Sequence, residues 1–191
     1  NRSNLINQIL ADYVSLTTPE KRIADIFNEI GDLLGESFSS FFEPYERTLS
    51  VKSPLQYKYR PTIKYEVTLL RNRHEDTVGE LKVIFRTQSV ELLMELMSFI
   101  RIWATTENKY IGKYYLSDGI QYTAAEGKFF RTFRVPAGRS YSEQDIATAI
   151  SNYIKMFDDI FKAYLSRECP TAEAVERRYQ EYINSGGIYV I

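Results

Sequence analysis

The hydrophobic pattern of the chain changes its period part-way along, and this change constrains the fold more than any other feature. From residue 37 to residue 88 apolar side chains alternate with polar ones, as they do in strands. On either side they recur about every 3.6 residues, as they do in helices. Strands are predicted at residues 41–51, 62–70 and 78–86, the last two forming a hairpin with an exposed connection at 71–77. Both alternate apolar with charged residues, which is typical of a sheet covered on one face.

Helices are predicted on both sides of these strands. Helical spacing, capping residues and glycine stops place them at residues 3–14, 19–34, 89–104, 142–164 and 170–183. The third is apolar almost all round, which predicts burial on more than one of its faces. Extended segments follow it at residues 110–116 and 127–135, with a further strand at 120–123 in one interpretation.

The order of these elements defines the expected fold class. We expect an α+β fold in the order ααβββαββαα, in which helices pack an antiparallel sheet of about five strands. The 191 residues fit a single domain at 1–191, with a core at about 19–166 and the first and last helices appended. The chain begins at Asn1 rather than at a methionine, which is compatible with a piece of a longer protein.

Composition argues against several classes of function. The formal net charge of -1 disfavours non-specific binding to nucleic acid. One cysteine, Cys169, and one histidine, His74, cannot form an internal disulfide or a Cys/His zinc site, and a cytoplasmic location fits this cysteine usage. Because these two residues are also far apart in the sequence, we interpret neither as catalytic. No apolar run approaches the roughly 20 residues that span a bilayer, so no membrane association is expected.

One short motif carries chemistry. Glu80-Leu81-Lys82 lies on the third predicted strand, Glu66 on the strand before it, and Asp76 in their connection. In many nucleases an acidic residue and the glutamate of such a pair hold Mg²⁺, while the lysine stabilises the attacked phosphate. In this respect residues 23–116 resemble the PD-(D/E)xK nuclease family. The resemblance implies Mg²⁺-dependent catalysis by Glu66, Glu80 and Lys82.

A second interpretation of the same residues is structural, and we favour it. Lys64, Glu66, Glu80 and Lys82 would form a cross-strand charge ladder on the solvated face of the sheet. The proline-aspartate pair expected of the nuclease family is absent at the matching place. On this interpretation the protein has no catalytic site and needs no cofactor.

Aromatic and basic residues interleave at two places, a pattern that can stack bases and hold phosphates. The two clusters are Tyr57, Tyr59 and Arg60, and Phe130, Arg131 and Arg134. In the alternative interpretation neighbouring rings form the core while Arg131 and Arg134 lie at the sheet edge and discourage strand addition. Because the chain has no net basic charge, we favour the alternative.

A loose glycine-aromatic pattern runs through the second half of the chain. It is carried by residues 80–86, the helix from Val90, residues 112–119, residues 130–136 and the helix from Ser142. Over about 23–165 the chain thereby resembles the YbjN-type family, which is similar in fold to the type III secretion chaperones. The resemblance implies a non-enzymatic, chaperone-like module that binds another protein through its sheet or a helix, often as a homodimer. We therefore predict a protein-interaction function, with another protein or a second copy as the partner.

Overall fold

A computed structural model describes residues 2–13, 18–43, 47–56, 61–74, 76–115, 119–125 and 127–191; for residues 11–13, 43 and 72–74 it describes the backbone. The helices are α1 (Arg2–Tyr13), α2 (Pro19–Leu34), α3 (Val90–Ile111), α4 (Glu143–Leu165) and α5 (Ala172–Asn184). The strands are β1 (Ser39–Glu43), β2 (Thr48–Pro54), β3 (Thr62–His74), β4 (Thr77–Phe85), β5 (Tyr122–Ala125) and β6 (Lys128–Arg134). The predicted α+β class and antiparallel sheet are confirmed.

The sheet has six strands in the order β1-β2-β3-β4-β6-β5, and every neighbouring pair is antiparallel. The prediction of one strand at residues 41–51 was wrong, because this stretch folds back as the β1–β2 hairpin with Arg47 in a left-handed conformation at φ 52°. The predicted connection at 71–77 is also too long. Strand β3 continues to His74 and β4 begins at Thr77.

Local capping chemistry sets the helix starts as predicted. The Thr18 hydroxyl accepts a hydrogen bond from the Lys21 amide before Pro19, and Ser142 and Asp145 form a capping box before α4. Helix α3 begins after Ser89 as expected but runs on to Ile111, followed by a 3-10 turn at Gly112–Tyr114. The extended segment predicted at 110–116 was therefore wrong over its described part. Among the described helices, none is both long and apolar enough to cross a membrane.

The core lies between one face of the sheet and helix α4. The ring of Phe157 stacks on Phe129 of β6 at 5.7 Å and meets Trp103 of α3 edge-on at 4.9 Å. Helix α2 packs beside α4 with Phe27 buried. Tyr179 of α5 is also fully buried against Trp103, so the C-terminal helix contributes to the core. These contacts leave the opposite sheet face and the outer sides of α1 and α3 to be considered as sites.

Candidate functional site

The outer sheet face carries the residues of the predicted charge ladder. The register places Glu66 of β3 opposite Lys82 of β4, and the Glu66 carboxylate lies 2.5 Å from Lys64 Nζ and 3.0 Å from Lys82 Nζ. Partial burial would raise the pKa of Glu66, but the hydrogen bonds from Lys64 and Lys82 outweigh it and the pKa is lowered. The carboxylate is thus held ionised between two ammonium groups.

The other acidic residues of the nuclease interpretation lie apart from this cluster. Glu80 is exposed and sits opposite Thr68, two register pairs along from Glu66 and Lys82. Asp76 accepts hydrogen bonds from Arg134 Nε at 3.0 Å to each of its oxygens. Within the described part of the chain, no three His, Cys, Asp or Glu residues are grouped so that they could hold a metal ion. The nuclease function stays a prediction that this geometry does not support.

Arg131 does not lie at the sheet edge, and that prediction was wrong. Strand β6 runs between β4 and β5, and the Arg131 side chain points into the core, where Nε donates to Glu107 Oε1 at 2.7 Å with both side chains 0% exposed. Its guanidinium carbon lies 4.7 Å from the centre of the Tyr153 ring. Burial raises the pKa of Glu107, and the guanidinium opposes that rise. Arg131 is therefore unable to reach a nucleic acid.

The remaining residues of the two aromatic-basic clusters fall into three positions. Phe130 is half-buried on the outer sheet face, with Lys82 Nζ 5.9 Å from the centre of its ring. Arg134 is largely buried and paired with Asp76. Tyr57, Tyr59 and Arg60 lie outside the described residues. The structure thus does not bring the described members together as a base-stacking surface.

A polar network that was not predicted from the sequence lies at the C-terminal end of β2. Asp158 of α4 accepts hydrogen bonds from Tyr65 Oη at 2.8 Å and Ser53 Oγ at 3.0 Å, and forms an ion pair with Lys162 Nζ at 2.6 Å. Lys162 Nζ also donates to Ser53 Oγ at 2.6 Å. Of these residues, Lys162 also lines a groove of about 500 Å³ that is bordered by Arg178.

The outer side of α3 is an open apolar surface, which we call the α3 face: Val90, Leu93, Met94 and Met97. Val90 and Met94 are 66% and 67% exposed, while Leu93 and Met97 are half-buried. Together with Ser98 and Arg101 they line a shallow groove of about 420 Å³. Burial of this helix on more than one face was predicted. The α3 face is a side of the helix that the single chain leaves open.

A second open apolar surface lies on α1, and we call it the α1 stripe: Leu5, Ile6, Ile9 and Leu10. These four side chains are 55% to 63% exposed. On the other side of the helix the polar side chains Asn4, Asn7 and Gln8 line a crevice against Thr18, Pro19, Glu20 and Arg71. Helix α1 thus turns its polar side towards the body of the protein and its apolar side away from it.

Comparison of the chain with models of known protein families, with curated proteins and with solved structures finds no match. The site must therefore be chosen from geometry. Of the surfaces described, the α3 face combines exposed apolar side chains with a firm attachment to the core. Its signal in the sequence was the apolar character of α3 on almost all sides.

Proposed function

We propose that this chain is a non-enzymatic protein-binding module and that the α3 face is its docking surface. The observation that carries the proposal is the exposure of Val90 and Met94, with Leu93 and Met97 beside them, on a helix whose opposite side is buried. Adjoining exposed apolar side chains on a folded protein mark sites of contact with other proteins. Methionine adapts its unbranched side chain to different partners, which suits a docking surface.

The α3 face is held rigidly from behind. Trp103 Nε1 donates to Tyr153 Oη at 3.0 Å, and Glu107 forms its buried ion pair with Arg131 one turn further along. At its C-terminal end, α3 is tied to α5 through Lys109 Nζ, 2.5 Å from Glu176 Oε1. A surface that is already ordered loses little conformational entropy when a partner docks, which favours affinity.

Charged residues surround the α3 face and suit a polar rim. Arg101 and Glu91 are exposed on the same helix, and Glu95 Oε1 accepts a hydrogen bond from Arg167 Nη2 at 2.5 Å. An apolar centre with a polar rim is the usual anatomy of a protein interface. The resemblance to the chaperone-like family agrees with this role. A protein partner is also preferred over nucleic acid, because Arg131 and Arg134 are occupied by Glu107 and Asp76.

Site-specific photo-cross-linking in cells that produce the protein tests this function. A benzophenone side chain replaces Met94 in one variant and the exposed Lys155 of α4 in a control variant. The proposal predicts a discrete cross-linked protein species at position 94 and none at position 155. A species of twice the 22.3 kDa chain mass also counts as such a species. Absence of a cross-link at position 94, or equal yields at the two positions, would overturn it.

A further inference from the structure

The outer face of the sheet carries a surplus of positive charge on two neighbouring rows of side chains that cross the strands. These rows contain four lysines, which we call the lysine patch: Lys52 on β2, Lys64 on β3, Lys82 on β4 and Lys128 on β6. Of the residues that the register places in the two rows, one is acidic, Glu66. Because the chain as a whole has a net charge of -1, this surplus is a local concentration of charge.

Two lysines of the patch have no acidic partner among the described residues. The Glu66 carboxylate lies between Lys64 Nζ and Lys82 Nζ, at 2.5 Å and 3.0 Å. In the described part of the chain, no acidic side chain is within ion-pair distance of Lys52 or Lys128. Lys52 also lies directly opposite Lys64 in the register, and like charges in that position destabilise a sheet. The lysine patch therefore holds positive charge that the fold itself does not neutralise.

We infer that the lysine patch binds an extended acidic segment of a partner protein, at a surface separate from the α3 face. The way in which Lys64 and Lys82 hold the Glu66 carboxylate shows how these rows receive a carboxylate. Three strand steps separate β2 from β6, and at about 4.8 Å a step they span about 14 Å. An extended segment of about five residues covers that length. Aspartate or glutamate side chains of such a segment would neutralise Lys52 and Lys128.

The surroundings of the patch favour a short protein segment over nucleic acid. The ring of Phe130 is half-buried, and Lys82 Nζ lies 5.9 Å from its centre, so the ring is poorly placed to stack on a base. The next row of the same face contains the exposed Glu80, which repels an anion that extends beyond the patch. A net charge of -1 also gives the whole protein no long-range attraction for a long polyanion.

Fluorescence anisotropy with a labelled hexaglutamate peptide tests the inference, and hexaglutamine is the uncharged control peptide. Wild-type protein should bind hexaglutamate, less tightly as salt is added, and should not bind hexaglutamine. The double variant Lys52→Gln/Lys128→Gln should weaken binding about tenfold. Lys113→Gln/Lys155→Gln removes the same charge at two exposed lysines elsewhere and should leave the affinity unchanged. Circular dichroism of each variant checks that the fold is retained.

A third variant should change the affinity in the opposite direction. Glu66→Gln removes the carboxylate that competes with the peptide for Lys64 and Lys82. It should therefore tighten binding of hexaglutamate about threefold. A purely structural role of the charge ladder predicts no such gain, so an unchanged or weakened affinity of this variant would contradict the inference.

Nuclear magnetic resonance locates the peptide on the wild-type chain without any substitution. Backbone amide signals of Lys52, Ile84 and Lys128 should shift when hexaglutamate is added, and those of Val90 and Met94 should not. No binding by the wild type, shifts confined to α3, equal losses in the two lysine variants, or equally tight binding of a single-stranded oligodeoxythymidylate of the same charge would each overturn the inference. The cross-link at position 94 does not depend on the lysine patch, so either proposal can fail alone.

Discussion

Helices α3 and α4 are similar in length, with 22 and 23 residues, and both are rich in apolar side chains, yet the fold uses them differently. Helix α4 packs against the sheet and against α2, α3 and α5, so apolar residues around most of its circumference are buried. Helix α3 is buried on its inner side and leaves the α3 face open. The apolar surface of α4 is used within the chain, whereas that of α3 exceeds what the chain itself covers. The apolar residues that α3 leaves exposed are the reason for proposing a partner-binding role.

The inner sides of the two helices do not differ in this way. Asp158 of α4 is satisfied by Tyr65 and Ser53, and Glu107 of α3 by Arg131. Both helices therefore place a charged group in the core with its partners. The contrast is confined to the outer, N-terminal part of α3, and each prediction below tests one part of it.

The largest expected effect concerns the inner side of α3. Replacing Arg131 by methionine leaves the Glu107 carboxylate buried without its partner, which is expected to lower the free energy of unfolding by about 3–5 kcal/mol. The double variant Glu107→Leu/Arg131→Met should recover most of this loss, because neither charge then remains. Urea denaturation followed by circular dichroism measures both. Lys109→Met, at the exposed pair with Glu176, is the control and should change stability far less. Equal losses of stability in Arg131→Met and Lys109→Met would show that the buried ion pair holds α3 no more firmly than the exposed one.

The same residue type on the two helices gives a direct comparison. Met156 of α4 is fully buried and Met94 of α3 is 67% exposed. Met156→Ala should lower the free energy of unfolding by about 2–5 kcal/mol, because it leaves a cavity. Met94→Ala should change it by no more than about 0.5 kcal/mol, measured at a concentration where the chain is monomeric. A similar loss for both would mean that the α3 face is covered within the single chain.

The turn beneath the α3 face provides a smaller test. Gly127, between β5 and β6, has φ 72°, and a Cβ at this position would lie 3.0 Å from Leu93 Cδ2. Gly138 has φ 74° and open space around it, so Gly138→Ala should lose only the about 1–2 kcal/mol that left-handed backbone costs. Gly127→Ala should lose roughly 1 kcal/mol more, because the methyl group presses on Leu93. Identical denaturation midpoints for the two variants would show that this hairpin does not support the α3 face.

The smallest effect is a dependence on pH at the C-terminal end of α3. Hydrogen bonds from Lys109 and Tyr110 lower the pKa of Glu176 below its ordinary 4.5. Stabilisation by this carboxylate is therefore complete above about pH 4.5, the ordinary carboxyl range, and is lost as the pH falls through the lowered value. Glu176→Gln should have a lower denaturation midpoint than the wild type at pH 7, and the two midpoints should converge in acid. A difference that persists unchanged in acid would exclude the ionised carboxylate as its cause.

The parts of the fold set by local chemistry could be predicted from the sequence. Pro19 after Thr18 and the Ser142 capping box fixed the starts of α2 and α4, because these hydrogen bonds join residues three apart. The alternation in β3 correctly assigned its inner and outer sides. The β1–β2 hairpin was missed because both of its strands have the same period, so the fold-back leaves no break in the alternation. A sixth strand resulted where one longer strand was predicted.

The sites depend on contacts that a single sequence does not reveal. Arg131 and Glu107 are 24 residues apart, and Tyr65 and Asp158 are 93 apart. Residue type alone assigns such charged groups to the surface, so the buried pair was missed. For α3 the pattern correctly identified an apolar helix, but it could not tell which of its sides the chain itself would cover. That distinction required the packing of α4 and the hairpin beside it.

Solvent accessibility of the methionine methyl groups tests the central claim most directly. The chain contains three methionines, Met94 and Met97 on the α3 face and Met156 in the core, so methyl-labelled protein has its own internal control. A soluble gadolinium chelate should strongly relax the Met94 methyl signal in dilute protein and leave Met156 unaffected. The Met97 methyl signal, from a half-buried side chain on the α3 face, should be relaxed to an intermediate degree. A Met94 methyl signal that is as protected as that of Met156 in dilute protein would contradict the account.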